Sequence, residues 1–229
     1  MSSNSTISPM KKTQILRNMI ISATLLATFG ALGTGLVMVT FEQTKDQIEA
    51  SEKANLLRNL NNIIPAESYN NNLLDNKLIV PPTEALGKDK NTTIYQAWQD
   101  KTPIAIAFSI IAHDGYSGDI TLLVAIKENG QISGVRVISH KETPGLGDKI
   151  EIIKNNWILS FNNRSLDDPE RKKWKVKKDG GVFDQFTGAT ITPRAVVRAV
   201  YKALDYYDDN KNKLFLEQSQ YNNLGTRKK

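Results

Sequence analysis

From Met19 to Phe41 the chain reads MIISATLLATFGALGTGLVMVTF, without one charged residue. Wound as an α-helix, this run is about 35 Å long, enough to cross a hydrocarbon layer of roughly 30 Å with some tilt. The sequence therefore predicts a transmembrane helix over 19–41. Lys11, Lys12 and Arg17 precede it, whereas Glu42, Asp46, Glu49 and Glu52 follow it, offset only by Lys45 and Lys53. The positive-inside rule then places residues 1–18 in the cytoplasm and the bulk of the chain on the opposite side. A cleaved signal peptide is the competing reading. Its apolar region spans about 7–15 residues and ends at a small-residue site. Here the run is longer and ends in Val39-Thr40-Phe41, which favours a retained anchor. Ala23, Ala27, Ala31 and Gly35 recur every fourth residue and form a stripe on which another membrane helix could pack closely.

Beyond the anchor there is material for one soluble domain with a real core. The net charge of +6 is concentrated in one basic run, Arg171, Lys172, Lys173, Lys175, Lys177 and Lys178. A distributed nucleic-acid footprint is not what this charge describes, and the run is first of all a solvated edge. There is no cysteine and there are only two histidines, His113 and His140. Thiolate metal sites, ordinary iron–sulfur ligation and haem are thereby disfavoured, so any redox chemistry calls for an organic cofactor.

Residues 42–65 predict a linking helix with Ile48, Leu56, Leu57, Leu60, Ile63 and Ile64 on one stripe, ended by Pro65. Residues 66–102 are weakly patterned and predict loops with one short strand at Leu78–Val80. Strands are expected at Ile104–Ala112, Asp119–Lys127 and Gln131–Ser139, the last two joined at Asn129-Gly130. Asp148–Phe161 predicts a helix with Ile150, Ile153, Trp157 and Phe161 on one side, and Trp174–Val176 a short strand. Pro193–Tyr207 predicts a helix with Thr192 as N-cap and Pro193 in the first helical position. From Asp208 to 229 the sequence reads as a polar, frayed tail. The fold class expected is α+β: an antiparallel sheet flanked by helices, over 66–207, behind a single membrane helix.

The stretch with most chemical content is Asp184-Gln185-Phe186-Thr187-Gly188-Ala189-Thr190, immediately before the last helix. It sets two hydroxyls on a loop whose Gly188 and Ala189 admit something bulky, at a helix start that favours anions. Arg194 stands close enough in sequence to assist. From residues alone, an anion-binding loop and an ordinary polar turn capping a core helix both remain open.

Asp184–Thr190 resembles the Asp-x-x-[Ser/Thr]-Gly-Ala-[Thr/Ser] flavinylation motif of bacterial FMN-binding domains. Gly115-Tyr116-Ser117-Gly118 and Glu142-Thr143-Pro144-Gly145-Leu146-Gly147 resemble the same family, and Trp174–Val200 is similar to the C-terminal signature of the G subunits of Rnf/Rsx electron-transport complexes. The resemblance implies that Thr190 carries FMN as a phosphoester, and that Thr187, Gly188 and Ala189 shape its loop. It also implies that Asp184 is read by the modifying enzyme, a magnesium-dependent flavin transferase drawing on FAD. Thr143 and Leu146 would offer a polar contact and an apolar face to the flavin ring. Lys177 and Lys178 approach the loop in sequence; a cation there, Lys178 in particular, would favour the reduced flavin. His140 is expected to be structural.

The function implied is electron carriage in an inner-membrane complex, with the FMN domain on the periplasmic side. Such a complex couples electron transfer between NAD(H) and a carrier such as ferredoxin to ion movement. Its partners are the other subunits, the transferase and the membrane. The FMN-bearing C subunit of a sodium-translocating NADH:quinone reductase and an anchored, non-redox binding domain are the alternatives.

Overall fold

The computed structural model describes residues 12–86, 90–218 and 220–221, so residues 1–11 and 222–229 of the expected termini lie outside it. The chain divides into two compact units, 1–53 and 54–229. One helix, α1 (Lys12–Asn61), contributes to both.

In the first unit α1 is a bare apolar helix. Leu26 is 76% exposed and Phe29 69%, and the span is long and apolar enough to cross a membrane. Two of its hydroxyls are satisfied within the helix: Thr28 donates to the Thr24 carbonyl and Thr40 to that of Leu36, each at 2.8 Å. Such back-bonding gives a hydroxyl a partner inside its own helix.

The second unit is a five-stranded antiparallel meander, β1 (Lys77–Val80), β2 (Thr92–Gln99), β3 (Thr102–Ala112), β4 (Ile120–Lys127) and β5 (Ile132–Ser139), in that spatial order. Side chains alternate between two cores, as the pleat requires. Ile106, Phe108 and Ile110 on β3, with Leu122, Val124 and Ile126 on β4, face α2 (Ile191–Leu214) and the irregular segment before it. Ala105, Ala107 and Ala125 face the other way, against Leu60, Ile63 and Ile64 from the end of α1 and just beyond. This second face is shallow, and the chain comes very close to it. A Cβ on Gly134 of β5 would lie 3.0 Å from Ile63.

The β4–β5 hairpin forms as expected, with Gly130 at φ 85° and its N–H donating to the Lys127 carbonyl. Other expectations are corrected. β2 lies within the stretch expected to be mostly loop. Its Thr92 and Gln96 are buried, and the Gln96 amide Nε2 donates to the carbonyls of Leu214 and Leu216 at 2.8 and 2.9 Å, so the polar pattern concealed a strand. No helix spans 148–161. Two short 3-10 turns, Gly147–Ile150 and Asn156–Phe161, replace it. The Asn155 side chain accepts the Trp157 N–H at 2.8 Å and starts the second turn afresh, which leaves Ile153 83% exposed.

Trp174–Val176 is not a strand; only an isolated bridge joins Val176 to Phe183. α1 ends at Asn61, before Pro65. α2 starts at Ile191 and runs past Tyr207 to Leu214, which is fully buried, so the part of the expected tail from Asp208 to Leu214 is ordered helix. Gln218 then bonds the backbone of Ile79 on the edge strand β1, accepting its N–H at 2.6 Å.

Candidate functional site

The 184–190 loop is held from below by aromatic packing. Phe183 and Phe186 are buried, Phe186 meets Trp157 edge-on with centroids 5.3 Å apart, and Phe183 stacks on Phe161 at 4.7 Å. The Trp157 indole N–H donates to the Asp184 carbonyl at 2.8 Å. Above this base the chain reverses at Thr187-Gly188, with the Ala189 N–H donating to the Phe186 carbonyl at 3.1 Å. Gly188 has φ 81°, the third-residue geometry of a type II turn that glycine adopts without strain.

Thr190 occupies the N-cap position of α2, half-buried, yet its side chain makes no capping bond. Among the described residues nothing hydrogen-bonds its hydroxyl or that of Thr187. The N–H groups of Ile191 and Thr192 likewise have no acceptor among them. A free hydroxyl thus sits at the positive end of a long helix, where a phosphate is electrostatically favoured.

Thr192 is not the N-cap. It is fully buried inside the first turn, and its hydroxyl donates to Glu142 Oε2 at 2.5 Å. Pro193 accordingly falls within the first turn rather than at its start. Glu142 is only 4% exposed, and its Oε1 accepts the Ser117 N–H at 3.0 Å. Two glycines make room for this carboxylate. A Cβ on Gly147 would lie 2.9 Å from Glu142 Oε2, and one on Gly115 would lie 2.9 Å from Oε1. His140 accepts the Glu142 N–H at Nδ1 (3.0 Å), while its Nε2 lies 2.7 Å from Glu151, which gives the ring a structural place.

Of the residues singled out from sequence, Leu146 and Gly188 come together: a Cβ on Gly188 would be 3.6 Å from Leu146 Cδ2. Leu146 is 41% exposed and Ile191 44%, so apolar surface adjoins the free hydroxyl. Thr143 is exposed, and its carbonyl closes the 143–147 turn by accepting from Leu146 and Gly147. The Asp184 carboxylate pairs with Lys177 at 2.6 Å. Lys178 meets the loop through its backbone, its N–H donating to Gln185 Oε1 at 3.2 Å.

Arg194 is committed elsewhere, to a two-pronged pair with Asp179 at 2.6 Å for each bond. That bonding holds the Asp179 carboxyl below its ordinary range. Glu142 and the anchoring role of Trp157 escaped sequence reasoning. The signal available for Glu142 was an acid set between His140 and a Pro/Gly turn; for Trp157 nothing in the spacing pointed to the loop.

Residues 115–205, which contain this site, match the family described as FMN-binding domain, and residues 10–63 match the RnfG N-terminal region. The G subunit of an ion-translocating oxidoreductase complex from Vibrio cholerae serotype O1 is 47% identical over 190 residues, 83% of this chain and 90% of the relative. The chain belongs to this G-subunit family. The counterpart from Shewanella loihica is 44% identical over 198 residues (86% and 93% of the two chains), and that from Vibrio atlanticus 48% over 192 (84% and 91%). These matches span both the apolar helix and the FMN-binding domain, so the chain is one subunit of a multi-subunit ion-translocating oxidoreductase complex.

Proposed function

We propose that Thr190 carries FMN through a phosphoester to its side-chain oxygen, and that the chain acts as an electron carrier in its complex. The observation supporting this most directly is the uncommitted Thr190 hydroxyl at the start of α2, beside exposed Leu146 and Ile191. Attachment from FAD would form the bond from Thr190 Oγ1 to the flavin-side phosphorus and break the pyrophosphate, releasing AMP and the hydroxyl proton. A flavin transferase is the agent; Asp184, exposed on the loop, is available for it to recognise. When bound, the flavin supplies reversible electron uptake. The residues that would hold it are those of the α2 N-terminus toward the phosphate, Thr187, Gly188 and Ala189 in the turn, and Thr143 and Leu146 toward the ring. Lys178, on the neighbouring segment, adds positive charge that favours the reduced form.

In this reading residues 19–41 cross the inner membrane, 42–65 link to the domain over 66–207, and that domain stands on the periplasmic side. The charge bias around the span supports the orientation. The complex would pass electrons between NAD(H) and a low-potential carrier such as ferredoxin, coupled to ion movement. Intact-mass measurement tests the attachment. Protein produced with a flavin transferase gains about 440 Da, the increment of one covalently added FMN, and Thr190→Ala does not. A wild-type chain of unmodified mass refutes it.

A further inference from the structure

We infer that Glu142 is the positioning residue of the flavin loop, an inference whose functional half rests on the assignment of Thr190. Its buried carboxylate joins three segments far apart in sequence. Oε2 takes the hydroxyl of Thr192, two positions past Thr190; Oε1 takes the Ser117 N–H from the β3–β4 connection; and its own residue opens the turn that carries Thr143 and Leu146. The register between the free hydroxyl and Leu146 therefore passes through one side chain.

The surroundings are built for it. Gly147 leaves room that a Cβ would deny, 2.9 Å from Oε2; a Cβ on Gly115 would meet first the Gly118 carbonyl and then Oε1 at 2.9 Å; and Thr192 is fully buried with its hydroxyl directed at Oε2. The same bond withdraws Thr192 from chemistry, so of the two hydroxyls in the Thr190-Ile191-Thr192 run only that of Thr190 is free. Removing the carboxylate would leave a buried hydroxyl and a backbone N–H without their acceptor, and the turn and the helix start would lose their common tie. Glutamine retains the shape: its carbonyl accepts from Ser117 while its amide donates to the Thr192 oxygen.

The test uses the full chain in two preparations. Without a transferase, Glu142→Ala and Thr192→Val speed amide hydrogen exchange about tenfold at 143–147 and 187–192, while β3 and β4 keep wild-type protection and Glu142→Gln stays near wild type. With the transferase, Glu142→Ala lowers the flavin-modified fraction and abolishes the visible circular dichroism of the flavin; Glu142→Gln restores both. Unchanged exchange in both Glu142→Ala and Thr192→Val overturns the inference, as does loosening that extends to β3 and β4, or a Glu142→Gln variant as impaired as the alanine. A wild type that takes up no flavin overturns the Thr190 assignment instead, and the exchange result still decides the role of Glu142.

Discussion

The indole N–H of Trp157 is bonded to the carbonyl of Asp184, so the residue that opens the 184–190 loop hangs from an aromatic side chain 27 positions earlier. Trp157→Phe keeps a ring against Phe186 and deletes only that donor. The expected cost is about 1 kcal/mol in unfolding free energy, measured by denaturant titration of the purified chain. Flavin attachment should fall more than stability does, because the loss is local to the loop.

Gly188 tests the turn itself. A Cβ would meet only Leu146 Cδ2 at 3.6 Å, so space is not the obstacle; the φ of 81° is. Gly188→Ala should destabilise by about 1 kcal/mol through backbone strain and reduce the modified fraction seen by intact mass. An alanine tolerated with full modification would show that the turn is re-formed when the cofactor binds.

Gln96 is the counterpart of Glu142 at the other end of α2. In Gln96→Leu the carbonyls of Leu214 and Leu216 lose their shared donor, at a cost of about 1–3 kcal/mol. Hydrogen exchange should rise over 208–218 and remain unchanged in the first turns of the helix.

Alkaline stability provides a fourth check. Burial, reinforced by Tyr221, pushes the Tyr206 hydroxyl up to about 12. Unfolded, it titrates near 10. Between those values the folded state retains a proton that the unfolded state has lost, so stability is whole below pH about 10 and declines as pH rises toward 12. Tyr206→Phe should flatten that decline in a series of denaturation midpoints taken across this range.

What the sequence revealed follows from where side chains advertise their surroundings. Asn129-Gly130 between two apolar runs left little choice but a hairpin, and the helix expected over Pro193–Tyr207 lies within α2. β2 was hidden because its buried residues include the polar Thr92 and Gln96, the latter of which bonds the end of α2. The segment 148–161 has helical spacing, but an asparagine at 155 bonds its own backbone and interrupts it. At the site, the motif drew attention to Thr190, whose hydroxyl makes no capping bond. Thr192 looked like a cap by position alone, and only the fold could bring Glu142, 50 positions away in sequence, to its hydroxyl.

α2 is fastened at each end by a buried polar group from elsewhere in the domain, Gln96 at its last carbonyls and Glu142 at its first turn. A rod gripped at both ends neither slides along its axis nor rolls, so a group tethered to its leading residue keeps a constant offset from the domain surface. Electron tunnelling weakens steeply with every added ångström. For such a tether, rigidity of the mount can replace depth of the pocket.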